Sequence, residues 1–306
     1  MRYGLPYKGS KNGIAEWIID NLPGAEWFVD LFCGGGAVTH RALLSGKYKK
    51  FIMNDIDGRL PVLFKECCFG KYTLENHKEW ISREQFFALK DADAYIALVW
   101  SFSNNGKDYL YAKDLEPFKK ALHYAVFFGD LSLLQAQGIA LKDTDEKDIY
   151  KRYLHFKKQL ETLKRKPQYC ENLTRAIEIE RLQSLQSLQS LQCGDKSYEQ
   201  VTIPDGALIY CDIPYRETNC GKYGGFNHNA FYEWARMQDN IFISEYSMPD
   251  DFIPIARIDK VQLSAANGND YKAEERIFTN KRTYDSLPKD RQLIAGLEMA
   301  EQLTLF

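Results

Sequence analysis

Apolar residues recur at helical spacing over residues 13–22, where Ile14, Trp17, Ile18 and Leu22 share a face and Pro23-Gly24 closes the run. Trp27-Phe28-Val29-Asp30-Leu31-Phe32 then reads as a short buried strand that runs straight into Cys33-Gly34-Gly35-Gly36. A helical stretch over 37–44 follows, and a second strand over 50–53 ends at Asn54-Asp55-Ile56-Asp57. Strand, glycine loop, helix and strand with a terminal acid form the opening of a doubly wound α/β fold. From about 61 to 166 the pattern is mostly helical, broken around Phe102-Ser103-Asn104-Asn105-Gly106, where Asn105-Gly106 signals a turn. Ile149, Tyr153, Phe156, Leu160 and Leu163 predict one clean helix within it. Strands return at 207–211 and 240–244, with a late one at 276–280, before a polar linker or short helix over 285–301. Leucines at 182, 185, 188 and 191 belong to a Leu-Gln-Ser repeat. A spacing of three drifts around an α-helix, so the repeat makes a broad face or a tolerated lead-in to a strand.

Composition narrows this little. The 306 residues suffice for a catalytic core with a smaller inserted domain, and 45% hydrophobic content builds an ordinary core. A net charge of -2 does not mark a nucleic-acid binder, though a local basic face would serve. The seven cysteines show no CxxC spacing, so neither a metal site nor a disulfide framework is expected. No run approaches ~20 apolar residues, so no membrane association is expected and a reduced cytoplasmic setting is.

Two segments carry chemistry. Glycines after a buried strand let the backbone turn tightly and approach a ligand, and an acid ending the next strand, Asp55, accepts from ribose hydroxyls. Asp212-Ile213-Pro214-Tyr215 ends another apolar strand. An amine conjugated to an aromatic ring is a poor nucleophile, and acceptors aimed at its N–H groups localise its lone pair. The Asp212 carboxylate and the Ile213 carbonyl are such acceptors, Pro214 stiffens the turn, and Tyr215 offers a flat face to an extruded base.

In order and spacing these segments resemble the DNA adenine methylase (Dam-like) family, from about residue 3 to 282. Tyr7-Lys8-Gly9-Ser10-Lys11 looks like its N-terminal cofactor motif, residues 28–35 like its glycine motif and Asn54-Asp55-Ile56 like its ribose-binding acid. Asp212 to Tyr215 looks like its Asp-Pro-Pro-Tyr, Phe102-Ser103-Asn104 like part of its target-recognition region, and Glu275-Arg276-Ile277-Phe278-Thr279-Asn280 like its closing strand. The resemblance implies an α/β, Rossmann-like methyltransferase core at 1–61 and 169–284, a mostly helical target-recognition domain inserted at 62–168, and a tail at 285–306. It implies S-adenosylmethionine as cofactor and a flipped adenine in double-stranded DNA as substrate. Tyr7 and Lys11 would contact the methionine end of the cofactor; Asp30, Phe32, Cys33, Gly34 and Gly35 would line its pocket. Asp55 would hold the ribose, Asp195 would lie near the cofactor adenine, and Asp212 borders both ligands. Ile213 replaces the family's first proline, which predicts a looser turn with its carbonyl retained.

Asn104, Asn105, Lys107, Tyr109 and Lys113 are suited to base edges or phosphates, and so are Arg152 and Lys158 on the basic helix, unless these form a solvated face. Gln302-Leu303-Thr304-Leu305-Phe306 resembles the pentapeptide that docks on the bacterial sliding clamp, with Leu305 and Phe306 as anchors and Gln302 and Leu303 beside them. The chain is expected to act as a monomer. An RNA adenine methyltransferase, a protein-glutamine methyltransferase, or a clamp- or DNA-binding accessory protein with decayed catalysis are the rival readings.

Overall fold

The computed structural model of the chain describes residues 2–163, 170–184, 190–215, 225–263 and 270–292. Among these, seven strands form one sheet: β1 (Trp27–Asp30), β2 (Lys50–Asn54), β3 (Leu191–Gly194), β4 (Leu208–Asp212), β5 (Ile241–Glu245), β6 (Ile253–Leu263) and β7 (Asp270–Thr279). Their order is β3-β2-β1-β4-β5-β7-β6. The five strands from β3 to β5 run parallel, and β7 and β6 close the sheet antiparallel. Helices α1 (Ala15–Asn21), α2 (Ala37–Ser45), α3 (Arg59–Cys68), α4 (Arg83–Leu89), α5 (Ala94–Val99), α6 (Glu116–Phe128), α7 (Ser132–Gln135), α8 (Ile149–Thr162), α9 (Glu171–Glu180), α10 (His228–Arg236) and α11 (Lys281–Ser286) complete the regular structure. None of the described helices is long and apolar enough to cross a membrane.

The chain divides into two compact units. One holds Lys11–Pro61 and Gln189–Phe306, with the sheet; the other holds Met1–Ser10 and Val62–Leu188 and is helical. The helical unit starts at the expected 62 but also takes in Met1–Ser10 and runs on past 168 to Leu188. Arg2 pairs with Glu178 on α9, which draws the first residues in. Cys170, Leu173 and Ile177 pack with Leu122, Val126, Phe156 and Leu160, so α9 belongs to the same core. Of the predicted α8 stripe, Tyr153, Phe156 and Leu160 are buried, whereas Leu163 at the C-terminal end is exposed.

In the sheet unit, central strands bury both faces. Val29, Ile209, Cys211, Ile241 and Ile243 lie in one apolar cluster with Phe231 and Ala235 of α10. The strand order reverses between β1 and β4, because the chain leaves β1 towards β2 and β3 and returns to build β4 and β5 on the other side. In such sheets ligands bind beyond the carboxyl ends of the strands at this reversal.

The helical unit is pinned by a buried polar network. Asn172 (0% exposed) donates through Nδ2 to His77 Nε2 (3.2 Å) and His123 Nδ1 (3.1 Å), and its Oδ1 accepts from Tyr111 (2.7 Å) and Cys170 (3.0 Å). His123 Nε2 must then donate to the Lys78 carbonyl (2.8 Å), and His77 Nδ1 to the Tyr95 hydroxyl (2.9 Å). Both imidazoles must be neutral, since a proton on either accepting nitrogen would face an N–H donor. Burial accordingly holds His77 down at about 3 and His123 at about 4. A depressed histidine stabilises the fold above its ordinary value near 6.5, and that contribution is lost as pH falls from there towards 4. Unfolding followed by the fluorescence of Trp80 and Trp100, which stack around these rings, is expected to shift to lower denaturant between pH 6.5 and 5. Asn172→Ala, which strips all four bonds at a buried site, is expected to cost roughly 3 kcal/mol.

Candidate active site

Each parallel strand delivers an acid at its carboxyl end, because an apolar strand must end where it meets solvent or a ligand. At β1 that acid is Asp30, almost fully buried. Thr39 of α2 donates to its Oδ2 (2.7 Å), while Oδ1 has no partner among the described residues. Burial lifts its carboxyl to about 7, with the negative charges of Asp212 and Asp55 adding to the shift. Three acids from three strands thus act on one another in one place. An orphaned buried oxygen here fits a site awaiting a polar ligand.

The glycine loop follows. Gly34 (φ 48°) and Gly36 (φ 71°) are left-handed, which side chains resist, and Gly36 turns the chain into α2. The Gly34 amide donates to Asp55 Oδ2 and the Asp57 amide to Asp55 Oδ1, both at 2.9 Å. Asp55 is therefore aimed by backbone from both sides. Beneath it Asn54 clamps the neighbouring segments, donating to Leu31 (3.1 Å) and Lys196 (2.9 Å) carbonyls and accepting from the Lys196 amide (3.1 Å). Gly194 is required at this point, since a Cβ there would lie 2.6 Å from Asn54 Oδ1. Asp195 is exposed, and its Cβ would stand 2.3 Å from a Cβ on Gly58. Cys33 and Gly35 are buried; Phe32 is half-buried beside Tyr198 (5.6 Å between centroids) and Phe226 (5.7 Å). This concave, acid-edged loop with aromatic rings beside it suits a ligand with a ribose and a flat ring.

At β4 the acid is Asp212, one-fifth exposed, and its partner comes from far upstream. The buried Lys11 ammonium lies 3.1 Å from Asp212 Oδ1 and 3.1 Å from Glu275 Oε1 on β7. It also donates to the Tyr215 hydroxyl, which in turn donates to Glu275 Oε1. Burial pulls the Lys11 ammonium down, but Asp212 and Glu275 outweigh it and hold the group above the usual lysine value. The resemblance implied a cofactor contact for Lys11; its ammonium is engaged by the Asp212–Tyr215 segment and by β7. Tyr246 follows β5 and sets its ring 4.5 Å from that of Tyr215, tilted 52°. Glu245 ends β5 nearly buried, its Oε2 has no partner among the described residues, and burial lifts it to about 8.

Ile213 does not leave the turn loose. Its side chain is 2% exposed and packs in the sheet cluster with Leu31 and Phe231. The Pro214 carbonyl accepts from His228 Nε2 (2.7 Å) at the start of α10. A core anchor and a long-range tether take over the stiffening that a second proline would give.

The sequence-predicted residues are thus distributed unevenly. Lys11, Asp30, Phe32, Cys33, Gly34, Gly35, Asp55, Asp195 and Asp212 to Tyr215 belong to the sheet unit, while Tyr7 groups with the helical unit. Glu245, Tyr246 and Glu275 were not singled out from sequence, because what makes them notable is a neighbour distant along the chain. In the helical unit Lys107, Lys113 and Lys158 are exposed. Tyr109 is buried, donating to the Ile81 carbonyl (2.7 Å) beneath the Arg83 guanidinium. Arg152 donates to the Glu146 and Val126 carbonyls. Asn105 closes its own turn on Lys107, Asp108 and the Asp108 carboxylate, and Asn104 donates to the Leu98 carbonyl (3.0 Å). Phe102 was also passed over as a single residue: it stands 61% exposed at the tip of this loop, next to left-handed Ser103 and Asn104. Gln302, Leu303, Leu305 and Phe306 lie outside the described residues, as do Lys164 to Lys166.

The chain matches the profile of a family described as D12 class N6 adenine-specific DNA methyltransferase, over residues 7–274. Comparison with curated proteins returns no match. Because Ile213 fills core space, Ile213→Pro is expected to destabilise the protein by roughly 2–4 kcal/mol, read as a lower Tm, instead of rigidifying the site.

Proposed function

The chain belongs to the D12 class N6 adenine-specific DNA methyltransferase family, and from that premise we propose how its own residues divide the work. The reaction moves a methyl group from S-adenosylmethionine to the exocyclic amine of adenine in DNA. Bound at the glycine loop, the cofactor supplies a methyl activated by a sulfonium. Asp55 holds its ribose, Gly34 and Gly35 let the backbone approach, and Phe32 lies against the flat ring with Asp195 at the rim. Asp30 serves the methionine end.

Asp212 and the Ile213 carbonyl accept from the amine N–H groups, which localises the lone pair on nitrogen for in-line attack. Tyr215, braced by Tyr246, gives the extruded adenine an aromatic surface; flipping costs a few kcal/mol, offset by stacking and hydrogen bonds. The observation that carries this reading is the mutual influence of Asp30, Asp55 and Asp212 at the reversal of strand order, where the Lys11 ammonium is 3.1 Å from the acid of the amine-binding motif. An RNA substrate or a decayed accessory protein draws no support from this arrangement.

In the helical unit the exposed Lys107, Lys113 and Lys158 suit phosphates, whereas Tyr109, Asn104, Asn105 and Arg152 shape the elements that bear them. Phe102, exposed on a loop whose neighbours hold costly left-handed geometry, suits stacking on or wedging between bases of the duplex. The chain acts as a monomer on double-stranded DNA, and Gln302, Leu303, Leu305 and Phe306 dock on a sliding clamp.

Asp212→Ala is expected to abolish methyl transfer, at least 10³-fold, while S-adenosylmethionine binding measured by calorimetry changes little; methylation retained by the purified variant overturns the reading. Phe102→Ala is expected to weaken binding to duplex DNA by about tenfold, with single-turnover methylation of saturating DNA less affected. Removing residues 302–306 is expected to abolish binding to a purified clamp in a pull-down, and unchanged capture disposes of the tail's role.

A further inference from the structure

Glu275 is fully buried, yet only half of its carboxylate is used. Oε1 receives both the Lys11 ammonium (3.1 Å) and the Tyr215 hydroxyl, and Oε2 has no partner among the described residues. Burying a carboxylate costs several kcal/mol, and a pair of this kind is commonly no more stable than an apolar replacement of the same volume. Packing alone does not account for an acid at this position. The register explains how it arrives there: Glu245 on β5 faces Arg276 on β7, which brings the next residue, Glu275, to the end of the sheet where β4 delivers Asp212.

The count of charges gives the reason. A lone Lys11–Asp212 pair would be neutral, and its ammonium would compete with the substrate amine for the carboxylate. With Glu275 included, one ammonium is shared between two carboxylates, and the three groups together carry one net negative charge. During methyl transfer the positive charge moves from sulfur to the amine nitrogen. A fixed negative charge beside that nitrogen stabilises the change, while the shared ammonium fixes where it sits.

We propose that Glu275 is a positioning residue of the methyl-transfer site, holding the Tyr215 hydroxyl and sharing the Lys11 ammonium so that Asp212 keeps its acceptor strength in one fixed orientation. This rests on the reading of Asp212 as the amine acceptor. The groups acting on Lys11 are Asp212, Glu275 and Tyr215, with Glu245 feeling its charge from β5. On α1 and α2 beside the Lys11 turn, Arg41 is paired with Glu16 (3.7 Å) and Asp20 (3.3 Å), and burial holds His40 at about 4, neutral at working pH.

Glu275→Gln keeps the shape and removes the charge. It is expected to lower kcat at least tenfold with KM for S-adenosylmethionine and DNA within about twofold and Tm unchanged or higher. Losing one of the two carboxylates that raise Lys11 also moves the alkaline limb of kcat to lower pH, and Glu275→Asp restores that limb at least in part. A merely structural glutamate would alter Tm and leave the pH profile in place. Wild-type kcat and an unshifted limb in folded Glu275→Gln overturn the proposal. Should that variant not fold, Tyr215→Phe cuts one of the two links without changing charge: a kcat at least threefold lower supports the proposal and an unchanged kcat overturns it. Asp212→Asn run alongside separates the failures. If it retains activity, the reading of Asp212 falls; if it is inactive while Glu275→Gln is normal, only the role of Glu275 falls.

Discussion

An ammonium removed from water must be given back what hydration supplied, and in this protein that demand is met by two carboxylates and a phenol from two stretches of chain far from the lysine in sequence. Lys11 precedes the first helix, Asp212 ends β4, Tyr215 follows it and Glu275 lies on β7. Stripping both carboxylates from the ammonium would leave a buried charge uncompensated, a loss of several kcal/mol. The cluster therefore couples closure of the sheet, with its antiparallel addition of β7, to the shape of the turn from Asp212 to Tyr215. The remaining acids follow the same rule. Asp55 is satisfied by backbone amides, and loss of hydration on burial lifts Asp30 and Glu245 to about 7 and about 8, against which their few hydrogen bonds work.

What could be read in the sequence follows from where each strand lies in the sheet. β1, β2, β4 and β5 are interior and buried on both faces, so they appear as unbroken apolar runs. The two strands that were missed, β3 and β6, are the two edges. β3 hides in the Leu-Gln-Ser repeat because only Leu191 of its four residues is buried. β6 contains Pro254, which an interior strand would exclude but an edge admits beside the irregularity between Pro254 and Ala256. Asp30, Asp55 and Asp212 were legible for the same reason as their strands. Glu245 and Glu275 were not: an acid beside or within a strand is unremarkable until its surroundings, for Glu275 the Lys11 ammonium, are known.

The helical unit was legible as helices and illegible as a fold. Nothing local connects His77, His123 and Asn172, yet their saturated hydrogen bonding fixes how α6 and α9 meet the segment before α4. Tyr109 and Arg152 were read as nucleic-acid contacts because aromatic and cationic side chains on polar segments look alike whether they face solvent or reach backward to a carbonyl. Their partners, Ile81 and Glu146, lie on other segments or behind the helix start and are invisible to a local reading.

Charge separates the two tasks this enzyme performs. A polyanion is repelled by the acids that gather at one end of the sheet, where the Asp55, Asp212 and Glu275 carboxylates outnumber the single buried lysine. What such a site favours is developing positive charge on a base amine. On the proposed reading the phosphates are met elsewhere, by exposed lysines such as Lys107, Lys113 and Lys158, which is how a chain of net charge -2 would engage DNA. A base extruded from the helix leaves its anionic backbone behind, and that lets one polymer be bound by cations while its amine is methylated among anions.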